Sequence, residues 1–133
     1  MSLQGKHVLV VEDEALLAMM LEDVLSYAGA HVVGPAATVE QAIALIASQV
    51  IDVALLDVCL RDQRSDPVAA TLRERGVPYV LATGYNNPDG AELASAPALR
   101  KPYCFEEVEA ALVAALRQGA LRLTSGEIVT DTL

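Results

Sequence analysis

The chain alternates between two hydrophobic periods, and that alternation limits its fold more than any other feature. Short apolar runs stand at His7-Val8-Leu9-Val10-Val11, which is largely β-branched, and at His31 to Ala36, Ile51 to Asp57 and Val77 to Ala82. Between them apolar residues recur at three- and four-residue spacing. Leu16, Leu17, Met20, Leu21, Val24 and Leu25 form one such stripe, and Val39, Ala42, Ile43 and Ile46 another. Short apolar runs bounded by charge read as strands buried on both faces, and the longer stripes as amphipathic helices. Strand and helix in alternation give an α/β fold with a parallel sheet.

Local signals punctuate the elements. Asp13 is placed to cap the first helix and Gly29 to end it. Thr38 with Gln41 makes a capping box for the second. Pro67 opens a short helix running to Arg75, with Gly76 after it. Leu99 lies in a short fifth strand, and Phe105 to Leu116 form a last amphipathic helix. Residues 84–98 hold Asn86, Asn87, Pro88, Asp89, Gly90 and Pro97, which leave room for only a short helix around Ala91 to Ser95. The tail from Gly119 carries Thr124-Ser125-Gly126 and weak periodicity, the pattern of a hairpin, a docking arm or a disordered end. The expected organisation is one domain over residues 1–118 and a C-terminal tail over 119–133.

Composition narrows the function classes. A net charge of -9 weighs against nucleic acid and against an anionic membrane surface, both of which need a basic footprint. No apolar stretch reaches the roughly eighteen residues of a membrane span, and no secretory signal opens the chain. The expectation is a cytoplasmic protein. Cys59 and Cys104 lack metal-motif spacing and read as free thiols in a reducing compartment. The Met19-Met20 pair reads as core or helix packing, His7 and His31 as structural, and Met1-Ser2-Leu3 carries no weight.

Ligands in an open parallel sheet bind outside the carboxyl ends of the strands. The strand ends here supply Glu12 and Asp13, Asp57, Thr83 and Lys101. Clustered carboxylates repel one another and call for a cation, and a set of oxygens suits a hard ion such as Mg²⁺. Three carboxylates are balanced by one lysine and one Mg²⁺. A phosphoryl group added to Asp57 would bring oxygens that demand donors, which Lys101 and the Thr83 hydroxyl supply. Aspartate can act as a nucleophile toward phosphorus.

Val-Glu-Asp-Glu at 11–14, Leu-Leu-Asp at 55–57, Ala-Thr-Gly at 82–84 and Lys-Pro at 101–102 resemble the receiver domain of two-component response regulators over roughly residues 6–117. The resemblance implies a doubly wound (βα)5 fold with a five-stranded parallel sheet, the fourth helix short or missing. It implies Asp57 as phosphoacceptor, Asp13 as a direct Mg²⁺ ligand, Glu12 as a ligand through water and the Cys59 carbonyl as a further one. Thr83 would be the switch hydroxyl, and Lys101 would pair with the phosphoryl group. The donor would be a histidine kinase or a histidine phosphotransfer protein. Mg²⁺-dependent self-phosphorylation and autodephosphorylation would follow.

Val80-Leu81-Ala82-Thr83-Gly84-Tyr85 also resembles the Phe-Ala-Thr-Gly-Tyr signature of an alphaproteobacterial subfamily, often single-domain, whose fourth helix is altered. A single-domain receiver passes its signal to a protein partner, as a monomer or weak homodimer. Two departures stand out. Ala98 replaces the aromatic residue three places before the lysine, and Arg61 replaces a proline four places after the acceptor. Tyr85 or Tyr103 is the candidate to take over part of the aromatic role. Rival readings fare worse. A haloacid-dehalogenase-like phosphatase needs a second Asp where Cys59 stands, and a flavodoxin-like binder needs a phosphate loop where Glu12-Asp13-Glu14 repels phosphate. A pseudo-receiver acting only as an interaction module would not need the acceptor residues that are present.

Overall fold

The computed structural model describes residues 2–60, 63–83 and 97–130, the last eleven as backbone alone. The chain runs β1 (His7–Val11), α1 (Ala15–Tyr27), β2 (His31–Ala36), α2 (Val39–Ser48), β3 (Val53–Asp57), β4 (Cys59–Leu60), β5 (Gln63–Arg64), α3 (Asp66–Glu74), β6 (Tyr79–Thr83), β7 (Ala98–Arg100) and α4 (Phe105–Thr130). The main sheet is five-stranded and parallel throughout, in the order β2-β1-β3-β6-β7. This is the expected doubly wound α/β fold. The short helix expected near Ala91 to Ser95 lies outside the described residues.

Period-two alternation divides the core into two layers. Leu9, Val11, Ala54, Leu56 and Leu81 face α2 and α3, where Val39, Ala42, Ile46, Val68 and Leu72 meet them. Val8, Val10, Leu55, Val80 and Ala82 face α1 and α4, against Leu21, Leu25, Val108 and Leu112. Strands buried on both faces read as continuous apolar runs, which is why β1, β3 and β6 stand out in the sequence. Leu3, given no weight above, is fully buried in the second layer.

The punctuation is mostly as expected. Thr38 Oγ1 accepts from the Gln41 N–H at 3.1 Å, and Gln41 Oε1 accepts from the Ala37 N–H at 2.8 Å. Gly29 and Gly76, with φ of 89° and 71°, end α1 and α3. At each end the glycine N–H and the following N–H bond back to carbonyls of the last turn, the left-handed closure that glycine adopts without strain. The Gly34–Pro35 and Lys101–Pro102 peptides are cis. His7 and His31 are register partners whose rings stack at 4.9 Å, and His7 N–H donates to Asp52 Oδ2 at 2.7 Å, at the end of the sheet away from Asp57.

Four expectations need correction. Asp13 does not cap α1. Helix φ/ψ begin at Ala15, so Glu14 takes the cap position with no side-chain bond, and Asp13 stays in the loop. The Met19-Met20 pair is exposed, and so is Leu16, each by more than half. α1 carries more apolar residues than one helix face can bury. Its contact stripe is Ala18, Leu21 and Leu25, and the residues about a quarter turn or more away face outward. The mixed-sign run Arg61, Asp62, Arg64 and Asp66 reads in the sequence as a solvated loop, yet Gln63–Arg64 pairs antiparallel with Cys59–Leu60 as β5 with β4. Finally, α4 continues through Gly119 and Thr124-Ser125-Gly126 to Thr130. No proline follows Pro102, and glycine in a helix costs only about 1 kcal/mol. A Cβ at Gly119 would stand 3.1 Å from Pro78 Cγ, so that glycine marks close packing rather than a helix end.

Candidate functional site

Register brings the strand ends together. Val11 pairs with Leu56, Leu56 with Leu81, Asp57 with Ala82, and Thr83 with Arg100. The residues following β1 and β7, and those ending β3 and β6, therefore share one edge of the sheet. In the order 2-1-3 the chain reverses its winding between β1 and β3, the crevice where such sheets bind ligands. Asp57 is the last residue of β3 and Glu12 the first after β1, so both carboxylates open into that crevice.

There the side chains meet. Oxygen atoms of Glu12, Asp13 and Asp57 all lie within 4.8 Å of one another. Lys101 Nζ donates to Asp57 Oδ2 at 3.1 Å and to Glu12 Oε1 at 3.3 Å. The Cys59 N–H donates to Asp57 Oδ1 at 3.3 Å, and the Glu14 N–H to Glu12 Oε2 at 3.1 Å. The Lys101 N–H donates to the Thr83 carbonyl at 2.8 Å, which ties the end of β6 to the lysine. Glu12 is 3% exposed, Asp57 8% and Thr83 2%.

Electrostatics follow from that burial. Desolvation, and then the charge of Asp57, push the Glu12 carboxyl up to about 7 against the opposing pull of the Glu14 N–H and Lys101. Burial works against the Lys101 charge, but Asp57 and Glu12 outweigh it and hold the ammonium above its ordinary value. One lysine thus serves two buried carboxylates, and the cluster is short of positive charge. Hard oxygen donors in that number, short of positive charge, fit Mg²⁺.

Glu12, Asp13, Asp57 and Lys101 bring their side chains to this cluster, and Cys59 and Thr83 reach it through the backbone bonds above. Cys59 contributes its backbone, while its thiol is exposed and free. Ala98 is exposed at the start of β7. Tyr85 and Arg61 lie outside the described residues.

Two neighbours add to what the sequence reading assigned. Ser65 is fully buried, and its Oγ and N–H both donate to the Val58 carbonyl, at 3.0 and 2.9 Å, closing the loop that follows Asp57. The signal was available, since a serine before Asp-Pro is a helix-start pattern. Among the described residues the Tyr103 hydroxyl is buried with no hydrogen-bond partner, which its candidacy for part of the aromatic role did not foretell.

A doubly wound α/β sheet with an acidic, lysine-bridged cluster at its switch point defines a class of small α/β domains whose strand-end crevice suits a divalent cation. The chain belongs to the response regulator receiver domain family, whose pattern matches residues 8–113. Receiver domains of two-component systems interact with histidine kinases or phosphotransfer proteins and bind Mg²⁺ at an acidic site. The chain is 33% identical to the probable transcriptional regulatory protein TcrX of Mycobacterium tuberculosis, over 93% of this chain and 58% of TcrX. It spans only 50% to 64% of the length of the curated relatives it matches. Among solved structures it is similar to SdrG from Sphingomonas melonis Fr1, at 41% identity and a TM-score of 0.72 over 87% of this chain and 98% of SdrG. SdrG is also known in a BeF3-activated conformation. The receiver domain of the sensor histidine kinase PA1611 from Pseudomonas aeruginosa, with magnesium coordinated in its active-site cleft, is 24% identical with a TM-score of 0.73. That match covers 84% of this chain and 98% of the PA1611 receiver, and shows shared fold alone. Among the described residues, no helix is long and apolar enough to cross a membrane.

Proposed function

We propose that this receiver is a phosphorylation-dependent switch whose acceptor is Asp57. The observation that carries this reading is the two-sided hold on the Asp57 carboxylate, Lys101 Nζ on one oxygen and the Cys59 N–H on the other. That hold orients the carboxylate at the crevice and leaves a lone pair for attack. Asp57 attacks phosphorus of a phosphohistidine on a histidine kinase or a phosphotransfer protein. The phosphorus–oxygen bond forms, the phosphorus–nitrogen bond breaks, and the electron pair leaves with the imidazole. Water later returns the carboxylate and inorganic phosphate.

Glu12, Asp13, Asp57 and the Cys59 carbonyl would hold Mg²⁺, with Glu12 acting through water. The bound ion would neutralise the carboxylates and the incoming phosphoryl oxygens. Lys101 and the Thr83 hydroxyl donate to those oxygens after transfer. The lysine's backbone bond to Thr83 couples the two donors. The exposed Leu16, Met19 and Met20 begin within a turn of the acidic loop. They give a helical phosphodonor an apolar foothold beside the acceptor. Readout belongs to the face of β7 and α4, toward a downstream protein, in the cytoplasm. Within the family, the Leu-Ala-Thr-Gly-Tyr run at 81–85 and the likeness to SdrG support membership of the alphaproteobacterial subfamily. Residues 1–118 are assigned to the receiver domain and 119–133 to a C-terminal tail.

Intact mass after incubation with Mg²⁺ and acetyl phosphate or phosphoramidate tests the reading. Wild type gains one phosphoryl group and Asp57→Asn gains none. A gain in both places the nucleophile elsewhere, and no gain in folded wild type with any donor points to an interaction module that works without phosphorylation.

A further inference from the structure

We infer that Ser65 is a positioning residue for the phosphoacceptor: by holding the carbonyl end of the Val58–Cys59 peptide, it aims the Cys59 N–H at the Asp57 carboxylate. The inference rests on the reading of Asp57 as acceptor given above.

Three contacts lead to it. First, Ser65 is fully buried, and its Oγ donates to the Val58 carbonyl at 3.0 Å, beside the Ser65 N–H at 2.9 Å. Second, the Val58 carbonyl and the Cys59 N–H belong to one trans peptide, a rigid plane in which the two groups point in opposite directions. Holding one end therefore sets the other, and the Cys59 N–H donates to Asp57 Oδ1 at 3.3 Å. Third, the Val58 N–H donates to the Ala82 carbonyl at 3.1 Å, so the sheet fixes the near side of Val58 while Ser65 fixes the far side. The β4–β5 hairpin delivers the serine. Leu60 pairs with Gln63 and Cys59 with Arg64, and one step further along that register Ser65 stands opposite Val58.

Ser65 gives up another use of its hydroxyl to make this bond. It occupies the cap position of α3, where a serine oxygen ordinarily accepts from an N–H of the first turn, yet its side chain makes no cap bond. Its carbonyl alone closes the helix start, accepting from the Val68 and Ala69 N–H groups at 2.9 and 3.1 Å. The hydroxyl serves the loop after the acceptor instead of the helix. The Cys59 N–H matters because the donor on the other carboxylate oxygen is divided. Lys101 Nζ reaches Asp57 Oδ2 at 3.1 Å and Glu12 Oε1 at 3.3 Å. With Oδ1 loosened, the carboxylate turns about its Cβ–Cγ bond, and fewer encounters place a lone pair in line with phosphorus. The aim of the acceptor is thus set from behind the loop, by a residue outside the carboxylate cluster.

The test compares wild type, Ser65→Ala and Gly76→Ala, each as the full chain. Ser65→Ala leaves the Val58 carbonyl its backbone donor, so no buried acceptor is orphaned and the domain folds. Gly76→Ala weakens the other end of the same helix and controls for stability. In metal-free protein, the Cys59 amide and Asp57 Cγ resonances move in Ser65→Ala and stay in place in Gly76→Ala. The rate of phosphoryl gain from phosphoramidate is then followed by intact mass against Mg²⁺ concentration. Its plateau falls about tenfold in Ser65→Ala while half-saturating Mg²⁺ stays within threefold, and Gly76→Ala keeps both within twofold. A Ser65→Ala plateau equal to that of wild type overturns the inference and leaves the phosphoacceptor reading intact. A slower plateau with unmoved Cys59 and Asp57 resonances also overturns it, because the effect then travels by another route. An equal loss in Gly76→Ala, or a Ser65→Ala that fails to fold, makes Ser65 a packing residue and sinks it as well. If wild type itself gains no phosphoryl group, the phosphoacceptor reading fails and this inference with it.

Discussion

Glu12 is the residue on which the resting site is most finely balanced. Its carboxyl titrates at about 7 instead of its ordinary 4.5, because burial and the neighbouring Asp57 disfavour its charge. The folded, metal-free protein therefore keeps a proton that the unfolded chain has released across that window. Folding stability must fall as pH rises from about 4.5 to about 7, and level off above, by an amount on the order of 3 kcal/mol. Urea midpoints measured in EDTA between pH 5 and 8 read this slope directly. Glu12→Gln, which cannot charge, should flatten it and leave the variant more stable than wild type at pH 8. A wild-type midpoint that rises over the same range would show that Lys101 outweighs burial and Asp57 at this carboxyl.

At the scale of elements, the two glycine-closed helix ends separate backbone strain from steric contact. Gly76 has φ 71° and open space where a Cβ would stand, whereas a Cβ at Gly29, with φ 89°, would meet Gln4 atoms at 3.1 and 3.3 Å. Gly76→Ala should cost about 1 kcal/mol from conformation alone. Gly29→Ala should cost more, both read as shifts in denaturation midpoint at constant m. These turns, the Thr38 capping box and the strand runs were legible in the sequence because each is a local rule satisfied by neighbours in the chain. The course of α4 past Leu116 was not. Gly119 and Thr124-Ser125-Gly126 look like a stop, and only the nearness of Pro78 to Gly119 gives the glycine another meaning.

For the whole molecule, the acidic cluster predicts a link between divalent cation and global stability. A ligand that binds only the native state at a hundredfold over its Kd adds about 2.7 kcal/mol. In a domain of this size that amounts to a rise of roughly 10 °C in Tm. Calorimetry at pH 8 should show this rise with Mg²⁺ in wild type and little of it in Asp13→Asn, whose side-chain oxygens lie in the cluster. An equal rise in both proteins would place the ion elsewhere. The sequence by itself determined the layering, the chemistry-bearing strand ends and the identity of Glu12, Asp13, Asp57, Thr83 and Lys101, because hydrophobic period and strand termini are properties of the chain. Tertiary structure decided which face of α1 is covered, that Asp13 lies in the crevice cluster and not at the helix cap, and that Leu3 and Ser65 are buried. Each of these depends on what a distant segment brings alongside, and burial, unlike periodicity, is set by neighbours in space.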